Sequence, residues 1–421
     1  MRGTLVPKTW ESNPGLYAPA RYRRACRYEA FVPYRLAGAE LVLPASVVGV
    51  VSDAEQAIMT LDAAAGPTLA PLARLLLRTE SVASSRLEGI QVGVRQLARA
   101  ESKLETGGRA AAQVLEVLGN IEAMQLAVDE AAASDRFGVD HIVAIHHRLM
   151  ARAPNPRIAG VVREEQNWIG GNAYNPCGAD YVPPPPEHVG PLLHDLCEAI
   201  EDESLPPVVQ AALVHAQFET IHPFADGNGR TGRALIHVVL RRRGIATRYV
   251  PPISVVLAAD RKRYIEGLAR FRGDGVAGWV EQFAAATAAA AGLAAAYGAA
   301  VERLQDEWRE ALSAGRAPRA DAAAWAVIEV LPAYPVITLP VAVAATGRAK
   351  SAVHAALFQL VECGVLLPLS ASKRNRSWEA AGLVELLEGL DAGRGLGSEA
   401  RGRVPQEGTA ADLLDAERGS R

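Results

Sequence analysis

The fold class this sequence predicts is mainly α: a helical bundle with a small β-hairpin flap, plus a C-terminal winged helix. Three observations predict it. Alanine and leucine abound while aromatic residues make up only 5% of the 421 residues, a balance that favours helices over sheet. Apolar residues recur at helical spacing on both sides of a glycine-rich run at 222–233, with Val208, Ala211, Ala212, His215 and Phe218 before it and Leu235, Val238 and Val239 after it. Turn residues and β-formers interrupt that pattern at 168–186, and residues 365–378 alternate as strands do.

The elements follow in order. Residues 1 to about 40 are rich in Pro, Tyr and Arg and read as an irregular arm around the first helices. Helices are predicted over 54–64, 69–89 and 94–103, with Thr106-Gly107-Gly108 as a breaker. One long amphipathic helix is predicted over 110–133 and another over 140–151. His146 and His147 are adjacent and point to different faces of that helix, so packing or solvation is favoured over a shared metal. Trp168-Ile169-Gly170-Gly171-Asn172-Ala173-Tyr174-Asn175-Pro176 and the following Asp180-Tyr181-Val182 read as a hairpin, and Pro183–Pro186 as a rigid polyproline stretch. Ser254 and Asp260–Tyr264 open a further helix, and alanine-rich helices run from Ala277 to Trp308.

Length and composition bound the class of protein. A chain of 421 residues exceeds one ordinary core and predicts two or three domains. A formal charge of -3 gives no general pull toward nucleic acid. Cys26, Cys177, Cys197 and Cys363 lie far apart with no Cys-x-x-Cys pair, and read as free thiols in a reducing compartment. Met1-Arg2-Gly3 leads into no apolar segment, and apolar stretches are read as broken by charge before eighteen residues. The expectation is a cytoplasmic protein with no membrane partner.

The chemistry concentrates in His222-Pro223-Phe224-Ala225-Asp226-Gly227-Asn228-Gly229-Arg230-Thr231-Gly232-Arg233. Gly227 and Gly229 let the backbone turn its N–H groups toward one point at a helix N-terminus, where the dipole favours an anion. Neutral His222 is the natural general base for a hydroxyl nucleophile. Asp226 offers hard oxygen to Mg²⁺, and Arg230 and Arg233, three apart, offer forked donors to phosphate oxygens. No Cys, Ser or Lys within the run serves as a covalent nucleophile. Direct in-line attack on phosphorus, driven by positioning and charge stabilisation, is the implied reaction.

This run resembles the signature of the Fic family, His-x-Phe-x-(Asp/Glu)-Gly-Asn-Gly-Arg-x-x-Arg, at every fixed position. The resemblance implies an all-helical domain that transfers AMP from ATP, with Mg²⁺, to a Ser, Thr or Tyr hydroxyl of a target protein or of itself. It gives His222 the base, Asp226 the metal and Phe224 the role of core anchor. Gly227, Asn228 and Gly229 would cradle the α- and β-phosphates. Arg230 and Arg233 would hold the β- and γ-phosphates, with Thr231 and Gly232 completing the nucleotide site and Tyr264 walling the purine. Asn120 and His146 stand where Fic domains often carry Asn and His. Ser84-Ser85-Arg86-Leu87-Glu88-Gly89 resembles the inhibitory helix of the same family through Ser84, Glu88 and Gly89, with Ser84 and Glu88 on one helix face and Gly89 at its close. Glu88 would then pair with Arg233 and hold ATP out of its productive pose. The hairpin at about 168–182 corresponds to the flap that clamps a target segment by strand addition, braced by Arg163 and Glu164.

The expected domains are 1–105, helical with the inhibitory segment at about 80–90; 106–300, catalytic; 320–385, winged-helix-like; and 393–421, a disordered tail. In the third, Ala323–Glu329, Thr338–Ala345 and Lys350–Cys363 read as helices, and 365–378 as a two-strand wing with Ser372-Lys373-Arg374-Asn375-Arg376 at its tip. Arg348, Lys350, His354, Lys373, Arg374 and Arg376 are candidates to meet a DNA backbone, against the competing reading that the module packs or binds protein. The alternatives to a self-inhibited adenylyltransferase are a DNA-binding regulator whose helical part senses nucleotide, and a family enzyme that uses another nucleotide or removes AMP. Homodimerisation is left open.

Overall fold

The computed structural model describes residues 3–64, 70–105, 107–314, 318–369 and 376–391. The chain opens with a β-hairpin, β1 (Gly3–Trp10) antiparallel to β2 (Cys26–Pro33), in register from Gly3 opposite Pro33 to Trp10 opposite Cys26. The irregular arm expected for 1–40 is corrected here. Pro7 masks the strand pattern in the sequence, yet proline is tolerated in β1 because that strand lies at the edge of a two-stranded sheet.

The reading of four free thiols is corrected too. Cys26 and Cys177 form a disulfide with their Cα atoms 6.3 Å apart, across 151 residues of sequence. No local spacing announces such a pair, because it exists only where the end of β2 meets the 168–182 loop. Cys197 and Cys363 are free. The argument from cysteine for a reducing compartment therefore loses its basis.

Six helices follow: α1 (Ala45–Ala63), α2 (Ala70–Leu87), α3 (Val94–Glu105), α4 (Ala112–Leu126), α5 (Val139–Met150) and α6 (Pro186–Glu201). The single helix expected over 110–133 ends at Leu126, and Ala127–Ala131 take one wider π turn. Ala127, Val128, Ala131 and Ala132 stay buried through that turn, so apolar spacing alone does not reveal it. Next come α7 (Pro207–Ile221), α8 (Asn228–Arg242), α9 (Ile253–Ala259), α10 (Arg261–Arg272) and α11 (Val276–Ala314). Every residue of α7 from Val208 to Ile221 is buried. A helix apolar on all sides belongs at the centre of a bundle. Within α11 the expectation of charge-broken apolar stretches fails: the helix is long and apolar enough, by length and composition, to cross a membrane, and 56% of that apolar window is buried in the protein.

Met1–Gly66, Leu76–Val92 and Ala111–Ala294 group into one compact unit, and Pro67–Leu75, Gly93–Ala110 and Ala295–Arg421 into a second. In the second, α12 (Ala323–Val330), β3 (Val336–Thr338), α13 (Leu339–Thr346), α14 (Lys350–Glu362), β4 (Leu366–Pro368), β5 (Ser377–Ala380) and α15 (Leu383–Asp391) follow one another, with β5 antiparallel between β3 and β4. Thr338 caps α13, accepting from Val341 N, and Val353, Ala356, Leu357 and Leu360 are the buried positions of α14. Arg95 of α3 pairs with Glu379 of β5 and Glu385 of α15. The basic pair Lys373 and Arg374, and the tail 393–421, lie outside the described residues.

Candidate active site

The glycine-rich run joins α7 to α8, and His222 ends α7 in the left-handed region with φ 49°, the one non-glycine residue with positive φ among the described residues. That conformation costs a residue with a Cβ roughly 1–2 kcal/mol, so it persists only when its surroundings over-determine it. Here they do. The His222 N–H donates to Phe218 O at 2.9 Å, and its carbonyl accepts from Arg163 Nε at 2.9 Å and Asn167 Nδ2 at 3.1 Å. Arg163 is buried and gives its remaining donors to the carbonyls of Glu165, Pro184 and Ile221. Burial, and then the Arg163 guanidinium, push the His222 imidazole down to about 4 against the pull of the Glu219 backbone and the Glu88 and Asp226 carboxylates. His222 is thus neutral, ready to accept a proton, across the physiological range.

Phe224 anchors the loop. It is fully buried, and its ring stacks on His146 at 3.6 Å and 3°. His146 Nδ1 accepts from Gly160 N, so the proton is assigned to Nε2, which donates to Asp226 O at 2.9 Å. Burial pushes this imidazole down to about 4 as well. The packing role favoured for His146 is the one it plays. The Asn228 side chain braces the turn: its Oδ1 accepts from Phe224 N and its Nδ2 donates to Phe224 O.

The glycines serve three purposes. Gly227 caps α8 at φ 79°, and a Cβ built there would lie 2.9 Å from Met150 Sδ and 3.1 Å from His146 Nε2. A Cβ on Gly229 would collide with Glu88 Oε1. Gly232 faces α7, where a Cβ would come within 2.7 Å of Glu219 Oε1 and 2.9 Å of Phe218 Cδ1, so it permits close helix packing and is not turned toward a nucleotide. Thr231 is fully buried.

Two arginines stand on the first turns of α8. Arg233, 1% exposed, donates from Nε to Ser84 Oγ at 2.8 Å, and from Nη2 to Ser84 O at 2.8 Å and to Glu88 Oε1 at 2.7 Å. Arg230 is 2% exposed; its Nη2 reaches Met150 Sδ at 3.6 Å, and its nearest carboxylates, Glu116 and Asp226, are 4.0 Å away. Its Nε and Nη1 are buried without a hydrogen-bond partner among the described residues. Orphaned buried donors of this kind fit an anionic ligand. Asp226 is exposed, with its Oδ1 accepting from Gly227 N at 2.6 Å, and no cluster of three or more His, Cys, Asp or Glu ligands occurs among the described residues. One hard carboxylate is the donor set of an ion that binds mainly through substrate phosphates.

The Ser84–Gly89 segment closes α2. Gly89 takes φ 85°, and the N–H of Glu88 donates to Ser85 O, that of Gly89 to Arg86 O and that of Ile90 to Ser85 O. Burial raises the Glu88 carboxyl, but Arg233, Arg230 and His222 together hold it below the usual range. Its carboxylate therefore lies over Gly229 at the positive end of α8.

Several residues outside the two motifs build this arrangement. Asn120 of α4 donates to Ser81 O and Ser85 Oγ of α2, and Arg261 Nε donates to Leu87 O at the end of α2. Glu80, fully buried, accepts from Ser254 N, Ser254 Oγ and His237 Nε2, joining α2 to α8 and α9. Tyr264 is buried, its hydroxyl bonds His215 Nε2 at 2.9 Å and its ring lies against His215 and Trp279. The signal for this was the helical spacing that placed His215 on the packed face of α7.

At 168–182 the expected hairpin reduces to one antiparallel bridge, Ile169 with Tyr181, around a tip organised by side chains. Asn172 Oδ1 accepts from Tyr174 N and Asn175 N, and Trp168 Nε1 donates to Asn172 O. Arg163 and Asn167 join its base to the loop carrying His222.

Comparison with known proteins finds two family profiles that match parts of the chain. The profile of the Fic/DOC family matches residues 136–240, and that of the Fic/DOC family N-terminal region matches residues 48–129. A protein named protein adenylyltransferase Fic from Nematostella vectensis is 33% identical over 172 residues, 40% of this chain and 36% of the relative. Its namesake from Drosophila willistoni is 31% identical over 183 residues, 42% of this chain and 34% of the relative. The chain thus spans about a third of the length of these relatives. A crystal structure of a Fic family protein from Desulfovibrio desulfuricans aligns with a TM-score of 0.50 at 21% identity, over 81% of this chain and 98% of that one, a likeness of fold.

Proposed function

We propose that this protein is a self-inhibited protein adenylyltransferase. The observation that carries the reading is the meeting of a neutral base, His222, and two buried guanidiniums, Arg230 and Arg233, around the N-terminus of α8. His222 takes the proton of a Ser, Thr or Tyr hydroxyl, whose oxygen attacks the α-phosphorus of ATP in line as pyrophosphate leaves. The N–H groups at the start of α8 and the free donors of Arg230 receive phosphate oxygens, and Asp226 holds Mg²⁺, which neutralises phosphate charge when bound. Glu88 occupies the fork of Arg233 that would otherwise take the γ-phosphate, and this is the inhibition. The segment 168–182 receives the target. The adenylyltransferase relatives support the activity, and the fit of base and anion site at the head of α8 supports AMP transfer as its class.

The test is mass spectrometry of the purified protein and of a protein lysate after incubation with ATP, GTP, UTP or CTP and Mg²⁺. AMP adducts on the chain or on a lysate protein, lost in His222→Ala, are expected. Adducts from another nucleotide alone, or release of AMP from modified proteins without transfer, would redirect the reading to the corresponding alternative.

A second reading, a DNA-binding regulator, draws on the second unit. Its order of helix, strand, two helices and two strands, with the last strand central, supports the winged-helix expectation, and Arg348 and Lys350 are exposed at the start of α14. Binding to duplex DNA that weakens steeply with salt would support it, and no gel shift at low salt would reject it.

A further inference from the structure

The flap is tied at two ends by different means. Its base is held to the catalytic loop: Asn167 Nδ2 donates to the carbonyls of His222 and Phe224, and Tyr181 donates its hydroxyl to Thr220 O at 2.7 Å. Its tip is held to the N-terminal hairpin. Tyr174 stacks on Tyr22 at 5.2 Å, Asn175 Nδ2 donates to Tyr22 O at 3.1 Å, Trp168 meets Trp10 edge-on at 5.6 Å, and Cys177 is bonded to Cys26. The tip has little backbone structure of its own. Apart from the Ile169–Tyr181 bridge and one turn bond from Ala179 N to Pro176 O, the N–H groups of Tyr174, Asn175 and Cys177 are satisfied by the side-chain oxygens of Asn172 and Asn175, and Gly170, Gly171 and Gly178 all take positive φ. A segment built this way sits at the low-stability end of a protein, and cross-linking it to a paired strand restricts its opening.

We propose that the Cys26–Cys177 bond is a thiol–disulfide control site for the flap: oxidised, it pins the flap tip to the hairpin; reduced, it releases the tip while the base of the flap and the nucleotide loop stay in place. Both sulfurs belong to half-buried residues within reach of a small dithiol. Cys197, by contrast, is buried and its thiol is pushed up to about 12 by that burial, so it does not exchange. In the reduction, one thiolate of the dithiol attacks one cysteine sulfur and breaks the S–S bond; the other cysteine departs as a thiolate and takes up a proton. The second thiol of the reductant then displaces the mixed disulfide, so two electrons pass from the dithiol, which becomes a disulfide, to the two cysteines. The consequence for target engagement rests on the adenylyltransferase reading above; the pinning of the tip does not.

The experiment is hydrogen–deuterium exchange of the full chain in three forms: air-oxidised, reduced with dithiothreitol, and Cys26→Ser, all digested after one reducing acid quench. Amides of 172–178 are expected to exchange about tenfold faster or more in the reduced protein and in Cys26→Ser, a change equivalent to roughly 1.4 kcal/mol, while those of 222–233 keep their rates. Equal rates for 172–178 in oxidised and reduced wild type overturn the proposal, as does alkylation of both Cys26 and Cys177 in the unreduced protein. If Cys26→Ser fails to fold, the two forms of the wild type decide alone. Since no nucleotide enters this measurement, absence of AMP transfer with a redox-dependent flap would overturn the proposed activity and leave the control site standing.

Discussion

Arg230 and Arg233 lie one helical turn apart on α8, both buried, and their surroundings could hardly differ more. Arg233 has its needs met inside the chain, by Ser84 and Glu88, whereas Arg230 keeps two buried donors without a hydrogen-bond partner among the described residues. The electrostatics follow. Burial lowers Arg230 below the usual arginine range, while at Arg233 the same burial is outweighed by Glu88, Tyr264 and Glu219, and the guanidinium is held above it. A buried guanidinium is costly unless paired. The difference teaches that the head of α8 is divided: the protein's own carboxylate takes the half at Arg233, and on the function proposed above the half at Arg230 is the one open to substrate.

The largest expected effect comes from the group both halves serve. His222→Ala should lower AMP transfer by about 100- to 10,000-fold while leaving nucleotide affinity within a few-fold, because the base meets the target hydroxyl; undiminished transfer would remove the assigned mechanism. Next come the arginines themselves. Arg230→Ala in the wild-type background should weaken ATP binding by roughly 10- to 150-fold, the worth of a charge-assisted hydrogen bond. Arg233→Ala in the same background should weaken it far less, since Glu88 already occupies that fork. Calorimetric titration of the two variants settles the order, and equal losses would abolish the division between them. A smaller effect is expected from Ser84→Ala, which removes the acceptor on Arg233 Nε; basal transfer should rise about two- to tenfold as Arg233 is held less firmly, and a fall would show that Ser84 serves catalysis.

Stability carries a pH signature of the same buried site. Burial pushes His215 down to about 3 and His146 to about 4, so between roughly pH 6.5 and 4 the unfolded chain binds protons that the folded chain refuses. Their contribution is full above pH 6.5 and is lost as pH falls toward 4. Glu219, pushed up to about 7 by burial, works in the opposite sense as pH rises through its range, but it is one group against three, since burial pushes His222 down to about 4 as well. The melting temperature should therefore fall on acidification from pH 6.5 to 4.5, and a rise would contradict the burial of these rings as neutral groups.

What could be read from the sequence was what is local. The run 222–233 and the Ser84–Gly89 segment are each set within a dozen residues, and the structure brings Glu88 to Arg233 across 145 positions as the motif pair implied. What stayed hidden depends on contacts between distant segments whose residue types are ordinary: Arg163 and Asn167 on the His222 carbonyl, Glu80 on Ser254 and His237, and Cys26 on Cys177. The packing of Asn228 on the Phe224 backbone and of Tyr264 on His215 could not be read from the sequence. An asparagine in a turn serves the backbone as readily as a ligand, and a tyrosine on an amphipathic helix serves the core as readily as a purine.

The division of the anion site is tested most directly by AMP incorporation in four proteins, wild type, Glu88→Gly, Arg233→Ala and the double variant, on a supplied target and on the protein itself. Freeing the Arg233 fork should raise transfer in Glu88→Gly by about 10- to 150-fold, and the double variant should lose that gain because the donor is gone whether or not Glu88 is present. A Glu88→Gly protein no more active than wild type, or a double variant as active as Glu88→Gly, would contradict the account.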